Sequence, residues 1–293
     1  MKIFKILFLL TICFSSDFLF ARDIPPLVSV EWLSNNLNKP GIFVLDIRSP
    51  ENYENGHIPG SLPAPFTQWI TQKDGLLLEM PSDSSITDLL RKLGISTDAT
   101  IIVINKTDTD WNRADAARVA WTCLAAGIKN SSILDGGFNK WQRTGLPITK
   151  DPTTPIPVQS NYFIDRTSII TKDEFLKVFS SSRVIDARIP EDYFGISEGK
   201  GHIPGARNLP LPWVYNIDGT YRNVNDLMAM ATGAIGNDKE APIITYCEVG
   251  GFAAAWDFIL SEVLGYRNVR VYDGSFQEWS QDPDLPVVRF KWD

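Results

Sequence analysis

Gly56-His57-Ile58-Pro59-Gly60 and Gly201-His202-Ile203-Pro204-Gly205 are one motif written twice, and they hold both histidines of the chain. Working outward from them, the flanking pieces repeat in the same order. Phe43-Val44-Leu45-Asp46-Ile47-Arg48 returns as Val184-Ile185-Asp186-Ala187-Arg188. Ile101-Ile102-Val103-Ile104 returns as Ile243-Ile244-Thr245-Tyr246. Leu134-Asp135-Gly136-Gly137-Phe138-Asn139-Lys140-Trp141 returns as Tyr272-Asp273-Gly274-Ser275-Phe276-Gln277-Glu278-Trp279. The offsets are 140 (46 to 186), 145 (57 to 202) and 138 (135 to 273), so the copies differ only by loop insertions. Ordered self-similarity of this kind is the mark of a duplicated domain.

Each copy reads as short apolar strands alternating with helical segments. The strands are predicted at 43–46, 101–104 and 133–135, then at 184–186, 243–246 and 269–272. Thr171-Lys172-Asp173-Glu174 is a capping box that opens a helix, and Ser29 caps its counterpart in the first half. Strands alternating with helices give an α/β fold, a parallel sheet with helices on both faces, here twice in tandem. Between the copies, Pro152, Pro155 and Pro157 can continue neither a helix nor a central strand, which predicts an extended linker. The expected division is a leader at 1–21, a first domain at 22–150, a linker at 151–160 and a second domain at 161–293.

The leader carries Lys2 and Lys5 ahead of the apolar run Ile6 to Phe14, with Ala21 as a small residue for cleavage. That pattern predicts export to the periplasm or beyond; the run is shorter than the roughly 20 residues of a spanning helix. The chain has 293 residues, 44% of them apolar and 22% charged, enough to build cores without metal or disulfide. Its net charge of -7 argues against nucleic acid or an anionic membrane as partner.

Beyond the leader only Cys123 and Cys247 remain. They fall in different domains, which argues against a disulfide. Cys123 lies in an apolar helical run and reads as a small core residue. Cys247 ends a strand and is followed by Glu248-Val249-Gly250-Gly251-Phe252 and by the helical-looking Ala253 to Leu264. Strand, thiol, glycine-containing loop and helix make an anion pocket in which main-chain N–H groups and the helix start face the sulfur. This setting predicts a lowered thiol pKa and a nucleophilic thiolate. In the first copy Asn105 stands opposite Cys247, so that half has no thiol chemistry at this position.

The histidines read as scaffold, because one of them persists in the half without a thiol. Asp46–Arg48 and Asp186–Arg188 each end a strand. Arg48 reads as structural. Arg188 can either pair with Asp186 or aim its guanidinium at an anionic substrate, and both readings stay open. Ser275 can donate to a sulfur anion or cap a helix.

Taken together, the two Asp-x-Arg strands, the two Gly-His-Ile-Pro-Gly motifs, the two Asp-Gly-Gly/Ser-Phe-x-x-Trp motifs and the single Cys-loop-helix resemble the tandem form of the rhodanese (thiosulfate sulfurtransferase) family. The resemblance spans nearly all of the chain after the leader. It implies an inactive first domain and a second domain whose Cys247 takes a sulfane sulfur from a donor such as thiosulfate. The persulfide would then pass its outer sulfur to cyanide, a thiol or a protein acceptor. It further implies that Glu248, Val249, Gly250, Gly251, Phe252 and Ala253 form the persulfide loop, with Arg188 as a substrate-binding candidate and no cofactor or metal. The alternative is a sulfane-sulfur binding or delivery module with little turnover. Many thiosulfate-using relatives carry basic residues in the loop, whereas Glu248 is acidic and Phe252 takes the place of a common arginine. Like-charge repulsion then predicts weak use of dianionic thiosulfate. A cysteine phosphatase, whose loop is similar at a distance, needs an arginine closing the loop, and Phe252-Ala253 do not supply one.

Overall fold

A computed structural model describes residues 22–196 and 201–292. The leader and Cys13 lie outside the described residues.

Each copy builds a five-stranded sheet in which every pairing is parallel. In the first the order is Leu27–Val28, Asn130–Leu134, Thr100–Ile104, Ile42–Asp46 and Leu62–Pro63. In the second it is Ile169–Ile170, Val269–Tyr272, Ile243–Tyr246, Arg183–Asp186 and Arg207–Asn208. The orders are equivalent, and so is the register, since Asp46 pairs with Ile104 as Asp186 pairs with Tyr246. The six strands read from apolar runs are present with boundaries shifted by at most a few residues. The two-residue strands were not predicted, because two residues carry no periodicity. Also unpredicted is an antiparallel hairpin of Thr71–Lys73 and Leu76–Glu79, found in the first copy. Ser29 caps its helix by accepting from the Trp32 amide. Thr171 and Glu174 form the full capping box at Lys172–Val178.

From 152 to 166 the chain has no regular secondary structure. It is tied along the first domain by the Val158 amide to the Arg91 carbonyl at 3.0 Å and by the Asp165 amide to the Ala125 carbonyl at 2.7 Å. Both histidines are fully buried scaffold. His57 stacks on Tyr53 and His202 on Tyr193, each with ring centroids 3.7 Å apart, and each Nδ1 lies 2.9 Å from that tyrosine's carbonyl oxygen.

The two copies meet through the helices Asp110–Ala125 and Gly251–Phe258, which pack on one another. Ala114, Ala116, Ala117 and Ala120 on one and Ala253, Ala254 and Ala255 on the other are buried, and such small side chains let two helix backbones approach closely. Both helices are covered on two sides, by their own sheet and by the partner helix. That explains why the first shows no apolar stripe in its sequence. The second helix, expected to run to Leu264, passes into a π-helical turn at Ile259–Val263. Among the described residues no helix is long and apolar enough to cross a membrane.

Candidate active site around Cys247

Cys247 stands at the carboxyl end of the central strand Ile243–Tyr246, where open parallel sheets present their ligands. Three contacts hold the main chain there. The Cys247 amide donates to Ser275 Oγ at 3.1 Å, the Phe276 amide donates to the Cys247 carbonyl at 2.9 Å, and the Gln277 amide donates to the Glu248 carbonyl at 3.0 Å. Ser275 Oγ in turn donates to the Tyr272 carbonyl at 2.9 Å. Ser275 therefore grips the backbone at the thiol; it is neither the donor to sulfur nor the helix cap, the two roles read from the sequence, since its hydroxyl donates to Tyr272 and the cap is Gly274. The first copy keeps part of this frame, since the Phe138 amide donates to the Asn105 carbonyl at the same 2.9 Å.

The loop turns at Gly250, whose φ of +84° is natural only to glycine, and the helix begins at Gly251. This turn aims the amides of Ala253, Val249, Phe252 and Gly250 at the sulfur, where each favours the thiolate. The thiol pKa is nonetheless raised. Burial is the largest cause, and the four amides only reduce its effect. The expectation of a lowered pKa is thus corrected: Cys247 is 1% exposed, and removing a thiolate from water outweighs the cradle. Cys123 is buried among apolar groups, and desolvation alone pushes its thiol far up. Both cysteines are free.

Arg188 is placed beside the loop. Its Nε donates to Asp186 Oδ1 at 3.0 Å, and Nη2 donates to Asp186 Oδ2 and to the Gly201 carbonyl, both at 2.6 Å. Only Nη1 reaches the loop, at 3.4 Å from Glu248 Oε2. The ion pair with Asp186 that the sequence offered is formed. Arg48 repeats the arrangement with Asp46 and the Gly56 carbonyl. The Glu248 side chain is 30% exposed, with Arg188 as its counter-charge.

The first domain supplies residues that the motif reading missed. The Trp111 ring lies 4.4 Å from the Phe252 ring. Arg118, 1% exposed, donates from Nη1 to Asp273 Oδ1 at 2.5 Å and from Nη2 to Asp273 Oδ2 at 3.0 Å. Such a buried pair is costly to break on one side, about 3–5 kcal/mol. The hairpin is fastened to the second domain by Leu77 and Gln277, which exchange two hydrogen bonds at 2.9 and 3.0 Å, and by the Met80 amide on Asp273 Oδ2 at 2.9 Å. Glu79, between Asp273 and Glu278, has its carboxyl pushed up to about 7 by burial first and by Asp273 second. A signal for Arg118 existed. It is a lone charge in Ala116-Ala117-Arg118-Val119-Ala120, and a charge in a buried helix requires a buried partner. Nothing in sequence says which partner. Among the described residues no cluster of three or more His, Cys, Asp or Glu could hold a metal ion.

Comparison with known proteins agrees with this architecture. The model of the rhodanese-like domain matches residues 29–144 and again 171–282. The chain is 29% identical to the sulfur carrier protein TtuD of Thermus thermophilus, over 90% of this chain and 96% of that one. It is also 29% identical to a Mycobacterium bovis protein named "Putative thiosulfate sulfurtransferase 1", over 89% and 96%. Among solved structures, YnjE superposes with a TM-score of 0.75 at 27% identity, over 91% of this chain and 68% of that chain. EanB in complex with hercynine superposes with a TM-score of 0.77 at 23% identity, over 90% and 69%, and shows the shared fold. With two domain matches in the places where the two sheets form, the chain belongs to the rhodanese-like sulfurtransferase family as a tandem of two such domains.

Proposed function

We propose that this protein moves a sulfane sulfur from a donor to a thiophilic acceptor through a persulfide on Cys247. The observation that carries the reading is the convergence of four loop amides, from Ala253, Val249, Phe252 and Gly250, on one buried thiol. These four N–H donors are the groups that would hold an anionic sulfur. With thiosulfate as donor, the Cys247 thiolate lone pair forms a bond to the outer sulfur, the donor's S–S bond breaks, and sulfite leaves with the electron pair. An acceptor such as cyanide then attacks the outer sulfur, thiocyanate departs, and the thiolate returns. Charge and oxidation state balance without an external oxidant. The persulfide places the transferable sulfur one atom beyond the buried Cys247 Sγ.

The first domain, with Asn105 opposite the thiol, acts as support. Small sulfur donors and acceptors, or a protein acceptor, are the partners of this reading. The apolar leader assigns the work to the periplasm or the exterior.

Burial of the thiol favours a second reading, a sulfur carrier with little turnover. One experiment addresses both. The intact mass of the protein is measured before and after thiosulfate, with Cys247→Ser beside it. A gain of one sulfur, lost on adding cyanide and absent from the variant, is expected. Sulfur uptake by Cys247→Ser would overturn the mechanism. Uptake without repeated turnover would select the carrier.

A further inference from the structure

We propose that Arg118, contributed by the domain without a thiol, is the positioning residue that sets the sulfur cradle of the other domain. Its guanidinium joins three segments at once. Nη2 donates to the Leu78 carbonyl of the hairpin at 2.7 Å, both Nη atoms hold Asp273 at the end of the strand Val269–Tyr272, and Nη1 also donates to the Gly250 carbonyl at 3.3 Å.

The Gly250 carbonyl is the pivot of the loop. It accepts the first bond of the helix, from the Ala254 amide at 3.0 Å, and Arg118 approaches it as a second donor. The peptide it belongs to, Gly250–Gly251, links the amides before it (Val249, Gly250) to those after it (Phe252, Ala253), the two pairs that face the sulfur. Fixing the direction of this carbonyl therefore fixes how the two pairs converge. Asp273 completes the seat. A Cβ on Gly250 would lie 2.5 Å from Asp273 Oδ1 and 3.2 Å from Arg118 Nη1, so the ion pair is packed directly under the glycine. The cation cannot drift, since it is 1% exposed and lies 5.0 Å from the Trp121 ring centroid. The thiol-free domain thereby becomes part of the catalytic apparatus through one buried cation.

The activity arm of the test rests on the sulfur-transfer reading; the alkylation arm does not. Cys247 alkylation by iodoacetamide is followed against pH, with each cysteine resolved by peptide mass, in wild type, Arg118→Lys and Gln277→Ala. Lysine keeps a charge for Asp273 but cannot span three segments. Its alkylation midpoint is expected at higher pH, with persulfide loading slowed about tenfold. Gln277→Ala removes two other bonds across the same boundary and is expected to lower the melting temperature while leaving the midpoint in place. A wild-type midpoint in Arg118→Lys overturns the proposal, as does an equal shift in Gln277→Ala, which would mark general loosening of the domains. Should Arg118→Lys fail to fold, the double variant Arg118→Met/Asp273→Asn removes both charges; an unmoved midpoint there overturns the proposal. Wild type that takes no sulfur from any donor, yet shows the Arg118-dependent shift, refutes the sulfur-transfer reading and leaves this inference standing.

Discussion

Trp111 of the first domain and Phe252 of the cysteine loop face each other with ring centroids 4.4 Å apart and planes tilted by 39°. Phe252 is 7% exposed, while Trp111 is 43% exposed and so forms the outer layer. A Cβ on Gly251 would meet the same indole at 3.3 Å. The aromatic pair gives the cysteine loop an apolar contact across the domain boundary. Trp111→Ala is expected to lower stability by roughly 1–3 kcal/mol, from the aromatic pair and the buried apolar area lost with it. Denaturant titration checks this, and a loss within error would mean that the loop stands without the first domain's aromatic cover.

Glu248 follows Cys247 directly, its side chain is 30% exposed, and Arg188 Nη1 lies 3.4 Å from its carboxylate. Under the proposed sulfur transfer it would stand near a dianionic donor, and like charges repel. Glu248→Gln keeps the shape and removes the charge. Persulfide loading from thiosulfate should rise about fivefold at low salt and less at high salt. Glu248→Arg should also raise it, although the new cation would stand beside Arg188, which makes glutamine the cleaner change. Equal rates in wild type and Glu248→Gln at all salt concentrations would show that the carboxylate does not meet the donor.

The raised thiol pKa of Cys247 has two consequences of definite sign. Alkylation and loading should keep rising with pH beyond the ordinary thiol range, because the folded state holds its proton longer than a free cysteine does. The same difference makes the folded state bind more protons than the unfolded one, so stability falls as pH rises through the ordinary thiol range, near pH 8.5. Cys247→Ser lacks this loss, and its stability should gain on wild type above that pH. Cys123, buried and far less acidic still, should stay unmodified in the folded protein while Cys247 reacts.

Glu79 gives the domain boundary its own pH dependence. Its carboxyl is raised from 4.5 to about 7, so between those values the folded state keeps a proton that the unfolded state has lost. Stability from this group is complete below pH 4.5 and is lost as pH climbs through 7. Glu79→Gln mimics the protonated form. Its melting temperature should match wild type near pH 4.5 and exceed it at pH 8. The reverse order at pH 8 would show that ionised Glu79 is stabilised by Arg118 and Lys73 more than it is opposed by Asp273 and Glu278.

The duplication, the six long strands, the irregular stretch at the prolines and both helix caps were legible in the sequence. Each rests on local facts: apolar runs, residues that cap or break, and motifs that recur in the same order. The thiol's basicity, the Glu248 contact of Arg188 and the part played by the first domain were not legible. Asp186 took Arg188 because two residues along one strand end placed carboxylate and guanidinium in direct contact, and only Nη1 was left for Glu248. Arg118 and Asp273 lie 155 positions apart (118 to 273) and meet because two alanine-lined helices pack closely enough to bring a buried charge to its counter-charge. Desolvation and ion pairing depend on what surrounds a group in space, and chain order does not encode that distance. The tertiary structure alone therefore decided that the cysteine loop of one domain is met by a buried cation of the other.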